Sequence, residues 1–189
     1  GKEGDGFKIA MMTFDRSRPA VAAQAVGLGQ GATDLALEYA MRRHTFGKPL
    51  MEHEGIQFKL AGMEADVAAA RALTFQAAEA IDEDDPRLTK LASAAKLVAS
   101  DTAMRVTTEA VQVLGGNGYL KQFPAERMMR DAKVLQIYEG ANEIQRLVVA
   151  RQMVKAAIER DPIWPESMPG EEGVASGQPE EAVSAGERA

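Results

Sequence analysis

From Val21 onward, apolar residues recur at alternating steps of four and three: Val21, Ala25, Leu28, Ala32, Leu35 and Tyr39 fall on one stripe. That spacing predicts an amphipathic helix. Pro19 suits its first turn, where a missing N–H costs no intrahelical bond, and Asp15 and Ser17 offer oxygen acceptors just upstream. The helix is expected to end near Gly47. A second stripe, Ile56, Leu60, Met63, Val67, Ala70, Thr74, Ala77 and Ile81, stops at the acidic turn Asp82-Glu83-Asp84-Asp85-Pro86. Leu88, Leu91, Ala95 and Val98 open a third helix, expected to reach about Leu114 before Gly115-Gly116-Asn117-Gly118. A fourth is predicted from near Gly140, burying Ile144, Leu147, Val154 and Ile158, with a short piece before it around Pro124 to Arg130. Long amphipathic helices joined by short Gly or Pro turns pack as an antiparallel four-helix bundle, so the fold class expected is all-α.

Both ends depart from this pattern. Phe7, Ile9 and Met11 alternate with Lys8, Ala10 and Met12, a period of two that predicts one strand over Phe7 to Phe14. A lone strand leaves its backbone donors and acceptors unmet, so it is expected to pair with a sheet outside this chain. Beyond Asp161 the chain turns to Gly, Pro, Ser and Glu with few apolar residues, and a disordered acidic tail is expected there, with Trp164 packing locally at its start. The domain reading is therefore a leftover strand over 1–15, a helical bundle over 16–160 and a tail over 161–189.

Charge and composition narrow the function. Twenty-two Lys and Arg against 28 Asp and Glu give a formal net charge of −6 in 189 residues. An acidic chain has no global attraction for nucleic acid or anionic lipid, and no apolar run is long enough to span a bilayer. Zero Cys excludes disulfides, thiolate metal sites and thiol catalysis. With only His44 and His53, an all-protein metal site or a Ser-His-Asp site is hard to assemble. His53 and Glu54 sit together, but the Glu-x-x-His pairs of di-iron bundles are missing, so no metal is expected.

Three features carry candidate chemistry, each with a plainer alternative. Glu139, beside Val134, Leu135 and Ile137 and followed by Gly140, suits a general base, because carboxyls with apolar neighbours titrate closer to neutral pH. A helix-terminal Glu complementing the dipole is the alternative. Gly115-Gly116-Asn117-Gly118 lets backbone approach a phosphate, or simply ends a helix. Arg42-Arg43-His44 suits a phosphate or a helix C-terminus.

Taken together, several ordered segments resemble the C-terminal half of acyl-CoA dehydrogenases, the flavin-dependent family that desaturates acyl-CoA thioesters. These are Gly6-Phe7-Lys8-Ile9-Ala10, Thr13-Phe14-Asp15-Arg16-Ser17-Arg18-Pro19, Arg43-His44-Thr45-Phe46-Gly47-Lys48-Pro49, Ala110 to Tyr119, Met129-Arg130-Asp131-Ala132-Lys133 and Gln136 to Arg146. The resemblance implies that a helical domain and a β-domain precede the bundle, that Phe7 to Phe14 is the last strand of that β-domain, and that the 189-residue chain alone is inactive.

It also implies roles. Glu139 corresponds to the base that removes the α-proton while a hydride leaves the β-carbon, and its backbone N–H helps polarise the thioester carbonyl. Gly140 lets the acyl chain pass close to the backbone, Tyr138 is a further substrate-binding position, and Asp15, Arg16, Ser17 and Arg18 match a CoA-contacting stretch, with Arg18 meeting an anionic group. Arg43, Thr45, Phe46, Glu54, Gln112, Val113, Leu114, Gly115 and Gly116 match positions that hold FAD, largely across a subunit interface, and Ala141, Asn142 and Glu143 match a further FAD-contacting turn.

Departures from the family pattern are Ala141 where Thr is common, Glu54 where Gln is usual, and Ser17 where the isovaleryl branch carries its base. The last supports the straight-chain branch. The implied whole is a short- or medium-chain acyl-CoA dehydrogenase, homotetrameric, passing electrons to an electron-transferring flavoprotein. It would be cytoplasmic in a bacterium or archaeon and in the mitochondrial matrix of a eukaryote. The alternatives are a non-catalytic oligomerisation module, and a desulfinase or oxidase relative on the same scaffold.

Overall fold

The computed structural model describes residues 1–160. Helix α1 spans Gly6–Arg42, α2 Glu54–Asp82, α3 Leu88–Leu114, α4 Gly116–Tyr119, α5 Ala125–Leu135 and α6 Asn142–Ile158. Between α1 and α2 lie two short strands, β1 His44–Thr45 and β2 Lys48–Pro49, and a single 3₁₀ turn, Leu50–Glu52. The strands pair antiparallel, His44 opposite Pro49 and Thr45 opposite Lys48. Phe46 and Gly47 take φ of 51° and 81°, the left-handed sense that a two-residue hairpin turn needs.

Contacts at the helix ends set the directions. Arg16 near the start of α1 reaches Asp84 just past the end of α2 at 3.4 Å, so α1 and α2 are antiparallel. Arg18 meets Ser93 at the start of α3, and Tyr39 near the end of α1 accepts from Asn117 beyond the end of α3, so α1 and α3 run parallel. The three make an up-down-up bundle in which each packs on the other two, and α5 and α6 pack on α3. The fold is all-α, as the pattern predicts.

The second stripe is buried from Leu60 through Met63, Val67, Ala70 and Thr74 to Ala77, and its ends, Ile56 and Ile81, are half-buried. Alanines fill much of the shared interior, among them Ala25, Ala32, Ala36, Ala95, Ala99 and Ala103, and small side chains let the three axes approach closely.

Three expectations are corrected. Phe7 to Phe14 is not a strand but the first turns of α1, which runs through Pro19 and stops at Arg42 rather than near Gly47. No strand lies beside that segment among the described residues, and a helix satisfies its backbone groups locally; Phe7 is left 78% exposed. Second, the apolar positions of α6 are not buried: Ile144, Leu147, Val154 and Ile158 are all exposed. The face that α6 turns inward is polar, Asn142 and Gln145. Third, Val98 is exposed, because it lies just outside the buried arc of α3, at the edge next to Leu91. The expected tail over 161–189 and Trp164 lie outside the described residues.

Candidate functional site

The turn between α5 and α6 carries the candidate base. Glu139 is half-buried with φ of 56°, and Gly140 follows at 93°. A side chain at 140 would be strained by that φ, and its Cβ would come within 2.5 Å of Gln145 Nε2. Ser17 Oγ, from α1, donates to Glu139 Oε2 at 2.6 Å. The two positions singled out as possible base sites therefore belong to one site. No hydrogen bond from the Glu139 backbone N–H is present among the described residues.

Around this turn lies a polar interior that joins three elements. Gln145 Nε2 donates to the carbonyls of Glu139 and Gly140 at 3.2 and 2.9 Å. Lys96 Nζ donates to the Gly140 carbonyl at 2.9 Å and to Asn142 Oδ1 at 2.8 Å. Asn142 Nδ2 donates to Asp101 Oδ1 at 2.7 Å and to Ser100 Oγ at 2.9 Å, and Gln136 Nε2 and Arg146 close on Asp101 from outside. Burial holds the Lys96 ammonium down to a pKa of about 8, opposed by the charge of Asp101. Tyr138 donates its hydroxyl to Gln24 Oε1 at 2.5 Å; burial first, and then the Glu139 charge, push that hydroxyl above its ordinary range.

Arg18 lies inside the bundle. Its side chain is buried and donates to Asp15 Oδ1 at 2.9 Å and Ser93 Oγ at 3.2 Å, and its guanidinium lies 5.8 Å from the Phe14 ring centroid. Thr89 donates to the other Asp15 oxygen at 2.6 Å. Burial lowers the Arg18 pKa, against the charges of Asp15 and Glu139. Its Nε is buried with no hydrogen-bond partner among the described residues. Arg16, by contrast, is exposed at the surface.

The other candidates gather at the far end of α1 and α3. Tyr39, Arg43, Thr45, Leu50, Val113, Leu114, Gly115, Gly116 and Asn117 line a groove of about 310 Å³, and Tyr39, Arg43 and Asn117 also line a neighbouring space of about 400 Å³. Gly115, at φ of 60°, ends α3 there. Thr45 Oγ1 and His53 Nε2 lie 3.0 Å apart. Phe46 is almost fully exposed, and Glu54 and Gln112 lie on the surface. Arg42 is tied to Glu38 at 2.5 Å, whereas Arg43 makes no ion pair among the described residues. An exposed guanidinium beside two glycines whose backbone no side chain covers fits an anionic group.

These two regions are separate. Ser17 and Arg43 stand 26 residues apart on or at the end of α1, about 39 Å at the helical rise, and Lys96 and Gln112 stand 16 apart on α3, about 24 Å. One copy of the chain does not bring Gln112 to Gly116 together with Ala141 to Glu143. Within the second set, Ala141 caps α6 and Glu143 is exposed, but Asn142 is 3% exposed and its amide is used up internally.

Sequence reasoning missed Lys96, Ser100, Asp101 and Gln145. A trace was there for two of them: Ala92, Lys96 and Ser100 follow at steps of four on the inner side of α3, and a charge in that row calls for a buried partner.

The comparisons with known proteins agree with one another. The family model described as "Acyl-CoA dehydrogenase, C-terminal domain" matches residues 4–154. The chain is 53% identical over 157 residues to a cyclohexane-1-carbonyl-CoA dehydrogenase of Geobacter metallireducens, covering 83% of this chain and 41% of that one. Among solved structures, butyryl-CoA dehydrogenase from Megasphaera elsdenii superposes with a TM-score of 0.80 at 52% identity, over 82% of this chain and 40% of that one. A chain in a structure described as the electron transferring flavoprotein of Acidaminococcus fermentans superposes equally well, TM-score 0.80 at 47% identity, over 82% and 40%. The chain thus spans about two-fifths of the length of the relatives it matches. On these matches, with an all-α fold to which they superpose, the chain belongs to the acyl-CoA dehydrogenase family and corresponds to its C-terminal domain.

Proposed function

We propose that this chain is the C-terminal part of an FAD-dependent acyl-CoA dehydrogenase that desaturates short- or medium-chain acyl-CoA thioesters, with Glu139 as the base. The observation that carries the reading is the Glu139 carboxylate, fixed at 2.6 Å by Ser17 on a left-handed turn that leaves the Glu139 backbone N–H unbonded. A carboxylate and an N–H offered from one residue suit a thioester. The N–H polarises the carbonyl, which acidifies the neighbouring carbon, and the carboxylate takes the proton from that carbon. Gly140 keeps the adjoining backbone bare, so an acyl chain can pass close to it.

FAD, when bound, supplies the hydride acceptor for the β-carbon. Arg43 with Gly115 and Gly116 would hold its pyrophosphate, and the turn at Ala141 and Glu143 would meet a flavin from the other region. Because about 24 to 39 Å of helix separates these groups, the two regions of one chain serve different FAD molecules, and each site takes residues from two subunits. The exposed apolar positions of α6, Ile144, Leu147, Val154 and Ile158, follow steps of three, seven and four and suit contacts within a homotetramer. Electron-transferring flavoprotein as the acceptor is supported by the superposition on a chain of the structure described as the electron transferring flavoprotein of Acidaminococcus fermentans.

The test is the full gene product carrying this chain. It should purify yellow and reduce an electron-transferring flavoprotein with a short acyl-CoA. Glu139→Gln should keep the flavin absorbance and lose turnover by about 10²- to 10⁴-fold. Normal turnover in that variant would remove Glu139 as the base, and a colourless protein would favour the interaction-module reading.

A further inference from the structure

Lys96 is 0% exposed, on the inner side of α3, and its hydrogen bonds end on the turn that carries the candidate base and on Asn142, the first residue of α6. Ammonium groups are almost never buried fully, and one that is costs free energy unless acceptors surround it. Here the acceptors are the Gly140 carbonyl and Asn142 Oδ1, 44 and 46 residues away in sequence. Glu139, meanwhile, holds a left-handed φ of 56°, a conformation that persists in a residue with a side chain only where its surroundings over-determine it. Ser17 fixes the carboxylate and Gln145 fixes the turn from its own helix. Neither ties the turn to the long helices of the bundle through the backbone; Lys96 does.

We propose that Lys96 is the positioning residue for the base: its ammonium fastens the Gly140 to Asn142 segment onto α3 and so sets where the Glu139 carboxylate stands. This rests on Glu139 being the base. Bonds from a charged donor are about twice as strong as neutral ones, so the hold is strongest while Lys96 is protonated. The charged groups facing it are Asp101 on its own helix, Glu143 on α6 and Glu139 on the turn, which favour the ammonium, and Arg18 on α1, which opposes it. With burial these leave the pKa at about 8, within reach of an alkaline limb in activity.

The experiment is Lys96→Met in the full gene product, read by steady-state kinetics over pH and by amide hydrogen exchange. The expected result is a fall in kcat of about 10- to 100-fold with KM for the acyl-CoA nearly unchanged, faster exchange confined to residues 139–142, and disappearance of a wild-type decline in kcat near pH 8. Lys96→Arg, which keeps the charge, should recover part of the loss. Unchanged kcat overturns the proposal, as does a loss shared with KM while exchange rises along all of α3, which is what a merely structural lysine would give. If Lys96→Met does not fold, the wild type decides: the Lys96 Cε resonance and the alkaline limb of kcat should share a midpoint, and different midpoints overturn it. Glu139→Gln keeps the two readings apart. If it turns over normally the base assignment falls, while the exchange at 139–142 still reports whether Lys96 holds the turn.

Discussion

Replacing Asn142 by Ala should be among the most destabilising single changes in this chain. Asn142 is 3% exposed and stands where α3, α6 and the turn carrying Glu139 meet. Its side chain accepts from the Lys96 ammonium at 2.8 Å and donates to the Asp101 carboxylate at 2.7 Å and to Ser100 at 2.9 Å. Hydrogen bonds to charged groups contribute about 1.5–3 kcal/mol each and a neutral one about 1 kcal/mol, and truncation leaves the charged partners to be resolvated in a closed space. The sum is about 4–7 kcal/mol; water entering the new space offsets part, leaving an expected loss of about 3–5 kcal/mol. Against the 5–15 kcal/mol typical of a domain that is a large share. Urea unfolding of the 189-residue chain, followed by far-ultraviolet circular dichroism, measures it. Glu143→Ala, one residue on and exposed, is the control and should change stability by less than about 0.5 kcal/mol. A loss of under about 1 kcal/mol in Asn142→Ala would refute the idea that this polar interior is closed and satisfied.

Gly140→Ala should cost about 2–3 kcal/mol, since φ of 93° and a contact of 2.5 Å with Gln145 Nε2 both oppose a Cβ; the same unfolding assay checks it. Lys96 makes a pH-dependent term with a definite sign. Its folded pKa of about 8 lies below its ordinary 10.5, so between those values the unfolded chain binds the extra proton, and stability relative to Lys96→Met rises as pH rises through that window. The rise is on the order of 3 kcal/mol, and a flat difference from pH 7 to 10.5 would contradict it. Ser17→Ala should lower turnover of the full gene product by about tenfold, through loss of one bond to a charged acceptor, while flavin absorbance stays. Charging the bare face of α6 with Leu147→Glu should shift sedimentation toward smaller species, and an unchanged sedimentation coefficient would remove that face from the assembly contact.

What could be read in the sequence depended on whether the partners lie on one helix. The α2 stripe from Leu60 to Ala77 needs only a period of 3.6 residues and an apolar neighbour, and it is buried as read. Phe7, Ile9 and Met11 show how little three alternating residues determine: the same run sits in α1, because a strand needs a partner and a helix does not. On α6 the apolar stripe was legible, but what it faces was not, since Asn142 and Gln145 take the inner side to meet Lys96 and the turn. Glu139 stood out because a carboxylate followed by Gly in an apolar run is unusual locally. Its setting did not, because Ser17 lies 122 residues away and no local pattern links the two. The setting of Arg18 was hidden for the same reason: a motif position cannot show that Asp15, Ser93 and Phe14 enclose the guanidinium.

The central claim is that Glu139, held by Ser17 on the turn before α6, takes the proton next to the thioester carbonyl. Washing deuterium from heavy water into the α-position of a short saturated acyl-CoA, without an electron acceptor, reads that step by mass spectrometry apart from the hydride transfer. The full gene product should label the α-carbon rapidly, and Glu139→Gln, with its flavin retained, should label it at least about 10²-fold more slowly. Equal labelling by the two proteins would mean that another group moves the proton.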